Sequence, residues 1–80
     1  MSANASRQYI AADAAAITPS DTVPNQFAYL YVGATGNVTV ITENGTTVAL
    51  TGVPTGQYIW LRTSYVKATG TTASNLVGFL

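Results

Sequence analysis

The sequence predicts an all-β chain, a small antiparallel sandwich or barrel of about five strands, carrying an extended N-terminal arm. Three observations lead there. From Phe27 onward, short blocks of aliphatic, aromatic and β-branched residues alternate with glycine-bearing turns. The connections between blocks are too short for the helical crossovers that a parallel sheet needs. Finally, Glu43-Asn44-Gly45-Thr46 is a hairpin signal, because Asn-Gly tolerates the positive φ angles of a type I′ turn.

Residues 1–25 form the predicted arm, and residues 26–80 the β domain. The arm is Ala-rich and ends in two turn-forming stretches, Thr18-Pro19-Ser20-Asp21 and Val23-Pro24-Asn25. Proline presets φ there, while Asp and Asn side chains bond their own backbone. The high helix propensity of Ala suggests a short helix over Tyr9–Ala16, one that is marginal in isolation. An arm that orders on docking accounts for the same composition.

The strand blocks follow in order. Phe27–Val32 is aromatic and aliphatic, and Gly33-Ala34-Thr35-Gly36 turns it into Val38–Thr42. The Asn-Gly turn leads to Thr47–Val53. Pro54-Thr55-Gly56 then opens a long block, Tyr58–Ala68, and Thr69-Gly70-Thr71-Thr72 leads to Asn75–Leu80. Thr-Gly recurs at irregular spacing, which marks turn chemistry and not a structural repeat.

Side chains alternate between the two faces of a strand. Phe27, Tyr29 and Tyr31 therefore share one face, opposite Ala28, Leu30 and Val32. Tyr58, Trp60 and Arg62 share another, opposite Ile59 and Leu61. This aromatic stripe either fills the core of a small domain or meets a neighbouring subunit, where Tyr, Trp and Arg dominate hot spots. Arg62 favours the second placement, since a buried unpaired cation is costly. The candidate interface comprises Tyr9, Ile10, Tyr29, Tyr31, Tyr58, Trp60 and Arg62. A sugar-stacking platform is a third use of such a stripe, which makes a small carbohydrate-binding module an alternative function.

Composition excludes more than it selects. The 80 residues contain no His and no Cys, and the three basic residues balance three acidic ones. A domain this size buries only about 60% of its unfolded surface, so reinforcement is expected. Disulfides are impossible, and a structural zinc lacks its usual ligands. Self-association or docking remains, and near-zero net charge favours it. We therefore expect a homo-oligomer, a trimer or pentamer on a symmetry axis.

Scattered cations cannot neutralise the phosphates of a nucleic acid, nor do they make a basic stripe for a membrane surface. Thr22–Thr42 is free of charge but too polar to span a bilayer as a helix. The N-terminus leads into no apolar signal core. The sequons at Asn4, Asn37 and Asn44 read as coincidence in a Thr-rich chain. Ser20-Asp21 has no histidine to act as base, Gly33-Ala34-Thr35-Gly36 lacks the lysine and helix of a phosphate loop, and Asp21 has a sufficient role in its turn. No catalytic, cofactor-binding or metal residues are expected, and no enzymatic activity.

Several stretches carry a resemblance. Ile17-Thr18-Pro19-Ser20-Asp21-Thr22, Leu30-Tyr31-Val32-Gly33, Gly52-Val53-Pro54-Thr55-Gly56 and Val66-Lys67-Ala68-Thr69-Gly70-Thr71-Thr72-Ala73 resemble the small head-spike base proteins of tailed phages and gene transfer agents. The likeness runs over residues 17–80, and Ala68–Ala73 is its most specific piece. It implies a β-rich, non-enzymatic subunit on the virion capsid exterior, made in the host bacterial cytoplasm, with the major capsid protein below and in some members a fibre above. A decoration or cement subunit, or a tail or baseplate component, is compatible with the same blocks. Residues 1–16 have no counterpart in the family, and Tyr58-Ile59-Trp60 replaces a more aliphatic strand.

Overall fold

The computed structural model describes residues 13–80, and these residues are all strand, turn and loop. Seven strands follow one another: β1 (Ala14–Ala16), β2 (Tyr29–Ala34), β3 (Gly36–Thr42), β4 (Thr47–Val53), β5 (Tyr58–Ile59), β6 (Thr63–Val66) and β7 (Ser74–Phe79). They make two antiparallel sheets. One has the order β1-β7-β2-β5 and the other β4-β3-β6. The expected small antiparallel sandwich is what the chain forms.

Period-two alternation builds the core. Leu30 and Val32 of β2, Val38 and Val40 of β3, and Val66 of β6 are completely buried, each worth about 1.5–3 kcal/mol of apolar transfer. Ile17, Val53, Ile59, Ala73 and Leu76 complete the cluster, with Phe27, Val48, Leu50 and Leu61 packed at its margins. Thr63 is the one buried polar residue among those described, and its hydroxyl donates to the Asn25 carbonyl at 2.8 Å. A Cβ at Gly78 would overlap the Phe27 ring, so glycine there lets the ring lie directly against the β7 backbone.

Phe27 does not share the face of Tyr29 and Tyr31, because it bridges Thr63 of β6 and its ring packs inward against Gly78 and the core. Three further local expectations are corrected. Ala14–Ala16 is a strand and not the end of a helix. Its residues pair with Val77–Phe79 of β7, and Ile17 bonds Leu76 through its backbone while burying its side chain. Long-range pairing outweighs the weak helix preference of a short alanine run.

The block Tyr58–Ala68 is two strands and not one. Ile59 pairs with Leu30 in the first sheet, whereas Val66 pairs with Val40 in the second. Packed sheets lie roughly 10 Å apart, so the chain must turn between them. It does so at Trp60–Arg62, where the Leu61 N–H bonds the Ile59 carbonyl at 3.0 Å.

The Asn44-Gly45 turn is not type I′, because Asn44 keeps a negative φ and Gly45 alone takes +90°. Gly45 N–H bonds the Thr42 carbonyl at 2.8 Å, and Thr42 N–H bonds the Thr46 carbonyl at 2.8 Å. This is the longer hairpin loop, in which a type I turn is followed by a left-handed glycine. Thr42 also accepts the Thr46 N–H on its hydroxyl at 3.1 Å, which favours the longer loop.

Two segments outside the strands complete the second sheet. Residues 20–27 run along the outer edge of β6, with Ser20 N–H bonding Val66, Asn25 N–H bonding Ser64, and Thr63 N–H bonding Phe27. The Ala68–Ala73 segment runs beside β3. Asn37 N–H donates to the Thr72 hydroxyl at 2.8 Å, Thr39 N–H donates to the Thr71 hydroxyl at 3.0 Å, and the Thr39 hydroxyl donates to the Gly70 carbonyl at 3.1 Å. Threonine hydroxyls here take the place of a strand's carbonyls, a physical use for the most specific block of the sequence. β4 keeps an uncovered edge, along which Thr47, Ala49 and Thr51 are exposed.

Candidate functional site

Register places the aromatic residues on the outer face of the β1-β7-β2-β5 sheet. Two rows cross it. In the first, Ala14 pairs with Phe79 and Phe79 with Tyr29, and Trp60 lies beyond, its ring 4.8 Å from that of Tyr29. In the second, Ala16 pairs with Val77, Val77 with Tyr31, and Tyr31 with Tyr58. The face therefore grades from bare alanine on β1 to large rings at and beyond β5.

The rings contact one another closely. Tyr29 stacks on Phe79 at 4.9 Å and 11°, and Tyr58 stacks on Trp60 at 5.3 Å and 16°. Tyr31 tilts against Tyr58 at 5.2 Å. Such pairs hold each other in place by about 0.5–1.5 kcal/mol beyond their burial, so the face is pre-organised. It is also open. Trp60 is 72% exposed and Tyr58 39%, while Tyr29, Tyr31 and Phe79 are half-buried. None of the residues in the two rows carries a charge.

Of the candidate interface residues, Tyr29, Tyr31, Tyr58 and Trp60 come together in this cluster. Arg62 lies at the far end of the corner, where its guanidinium reaches the Glu43 carboxylate at 3.8 Å and both side chains remain largely solvated. An exposed pair of that kind contributes little. Tyr9 and Ile10 lie outside the described residues. Phe79 is the member that sequence reading missed, although alternation along β7 sets it beside Val77 on the outward face. The alanine margin was missed as well, because a strand of Ala carries no β signal.

Ser20 and Asp21, the groups the sequence offered for chemistry, are held in structural hydrogen bonds among the described residues. No group of three or more potential metal ligands gathers there, and no helix is long and apolar enough to cross a membrane. Ser20 uses its hydroxyl to accept the N–H groups of Thr22 and Val23 at 3.2 and 3.0 Å. Asp21 accepts the Thr69 hydroxyl at 2.6 Å and the Thr69 N–H at 3.1 Å. Those two bonds, with a smaller pull from Lys67, hold its carboxyl below the ordinary value of 3.8. A carboxylate stabilised in its charged form is a poor base. It is a fixed structural acceptor.

A β-sandwich with an open, uncharged aromatic face suits packing against another surface. Comparison with solved structures agrees. The chain is similar to a chain of the capsid of a native GTA (gene transfer agent) particle computed with C5 symmetry, with a TM-score of 0.81 and 35% sequence identity over 91% of this chain and 87% of that one. The chain belongs to the family of that GTA capsid component. Protein-family models give no match, and neither do curated proteins.

Proposed function

We propose that the chain is a non-enzymatic structural subunit on the exterior of a phage-like capsid, a head-spike base, decoration or cement subunit seated on the major capsid protein. The observation that carries this reading is the aromatic outer face, pre-organised and free of charge, in a chain whose likeness is to a capsid component. Its mechanism is packing. Tyr29, Tyr31, Tyr58 and Trp60 supply large apolar area with polar tips, the combination that protein interfaces favour. Attachment also draws on the N-terminal arm through Tyr9 and Ile10.

Self-association belongs to the same reading. A domain of this size has a small core and no covalent staple, and its balanced charge opposes association only weakly. Copies gathered about a capsid symmetry axis, as a trimer or pentamer, would supply the missing burial.

Labelling purified particles with an antibody against the chain tests the proposal. The expected result is surface labelling at regular sites on the capsid. Intact particles that lack the protein, or that carry it only on the tail, would sink it.

A further inference from the structure

The outer face of the β1-β7-β2-β5 sheet is complementary to itself in size. At one margin, beyond β5, Trp60 and Tyr58 project as the largest exposed rings. At the opposite margin, β1 offers Ala14–Ala16, all exposed and carrying nothing larger than a methyl group. Among the described residues both margins lack a neighbouring strand, and neither strand itself bears a Lys, Glu or Pro, although the Asp13 carboxylate caps the outward Ala14 N–H of β1 at 2.8 Å. Natural proteins usually guard an open edge with such residues. A projecting margin and a flat margin on opposite ends of one sheet describe a head-to-tail contact, the kind that closes into a ring when the rotation permits.

We propose that this contact joins copies of the chain: the Tyr58–Trp60 margin of one copy seats on the Ala14–Ala16 strand of the next. The small side chains let the indole and phenol rings lie flat against the neighbour's backbone, and they cover the one large side chain that the sandwich leaves most exposed. The aromatic faces of successive copies then run on as one surface. The occupant is a second copy because the required partner surface, a level edge strip of small side chains, is present on this same chain. The inference rests on the self-association proposed above, and it names the surfaces that self-association uses.

Photo-crosslinking in assembled particles tests it. Benzoylphenylalanine in place of Tyr58 keeps an aromatic ring at the margin and leaves Trp60 intact. Within one copy, β1 is three strand spacings from β5, roughly 14 Å, so an adduct to β1 must join two copies. Irradiation is expected to give a two-copy product whose crosslinked peptide contains residues 13–17. Adding Ala16→Asp should lower its yield about tenfold or more, since it sets an unpaired charge under the rings. The circular-dichroism signal should not change, because Ala16 is exposed. Two-copy adducts that map elsewhere, or a yield indifferent to Ala16→Asp, overturn this contact and leave self-association standing. Adducts only to other particle proteins, or no adduct at all in particles where light scattering of the released subunit shows a monomer, overturn both.

Discussion

Asp21 and Thr69, 48 residues apart in sequence, are joined by two hydrogen bonds, hydroxyl to carboxylate at 2.6 Å and N–H to carboxylate at 3.1 Å. The pair ties the segment that covers the edge of β6 to the threonine-rich segment that runs beside β3. Two stretches outside the strands thereby brace each other across one end of the second sheet.

The latch is charge-dependent, and its pH response has a definite sign. The folded-state carboxyl of Asp21 lies below its ordinary value of 3.8, chiefly through the Thr69 hydroxyl. A depressed carboxyl stabilises the fold above the unfolded value, and that contribution disappears as pH falls through the folded one. Thermal melts should therefore show a loss between about pH 4 and lower values that Asp21→Asn lacks, because the amide is indifferent to pH there. Equal acid sensitivity in both proteins would remove Asp21 as the cause.

Trp60→Ala separates folding from association. The side chain is 72% exposed, so unfolding stability should drop by about 1–3 kcal/mol, the worth of its two ring pairs with Tyr29 and Tyr58. Attachment to its neighbours should weaken by about 2–4 kcal/mol, as at an interface hot spot. Denaturant melts read the first quantity and particle occupancy the second. A large loss of stability with full occupancy would contradict the interface role.

Gly78→Ala should behave in the opposite way. Its new methyl would overlap the Phe27 ring, and overpacking of that kind costs about 1–3 kcal/mol. Phe27→Leu in the same background should recover part of the loss by retreating from the methyl. A Gly78→Ala protein as stable as the parent would show that Phe27 moves away at no cost.

The aromatic face also makes a negative prediction. If its rings serve protein packing, a glycan array probed with the purified chain should give no hits above background. Reproducible binding to one class of sugar, abolished by Trp60→Ala, would favour the carbohydrate-binding alternative instead.

Much of the fold was legible because it rests on period-two alternation. Tyr29 against Leu30 and Tyr58 against Ile59 assigned both faces of the first sheet before any coordinates. Three features escaped for identifiable reasons. Ala14–Ala16 carries a helical propensity, and only its pairing with β7 makes it extended. Tyr58–Ala68 has unbroken strand character, and nothing local marks Trp60–Arg62 as the point where the chain changes sheets. Asn44-Gly45 suits more than one hairpin, and the choice lies with the Thr42 hydroxyl. The candidate site was legible as a stripe, but its fifth ring, Phe79, comes from a distant strand that only register brings alongside Tyr29.

The pairing of β1 with β7 has a consequence for the order of events during biosynthesis. The first described strand closes against the last, Ala14 opposite Phe79, so the sheet stays unfinished until Phe79 has left the ribosome. Non-local closure of this kind also slows folding. The β1 margin would then mature last, after the Tyr58 margin that the earlier β2 and β5 pair can form. A chain that lacks β7 would have no β1 margin to offer, and one that has it would carry both margins of the outer face.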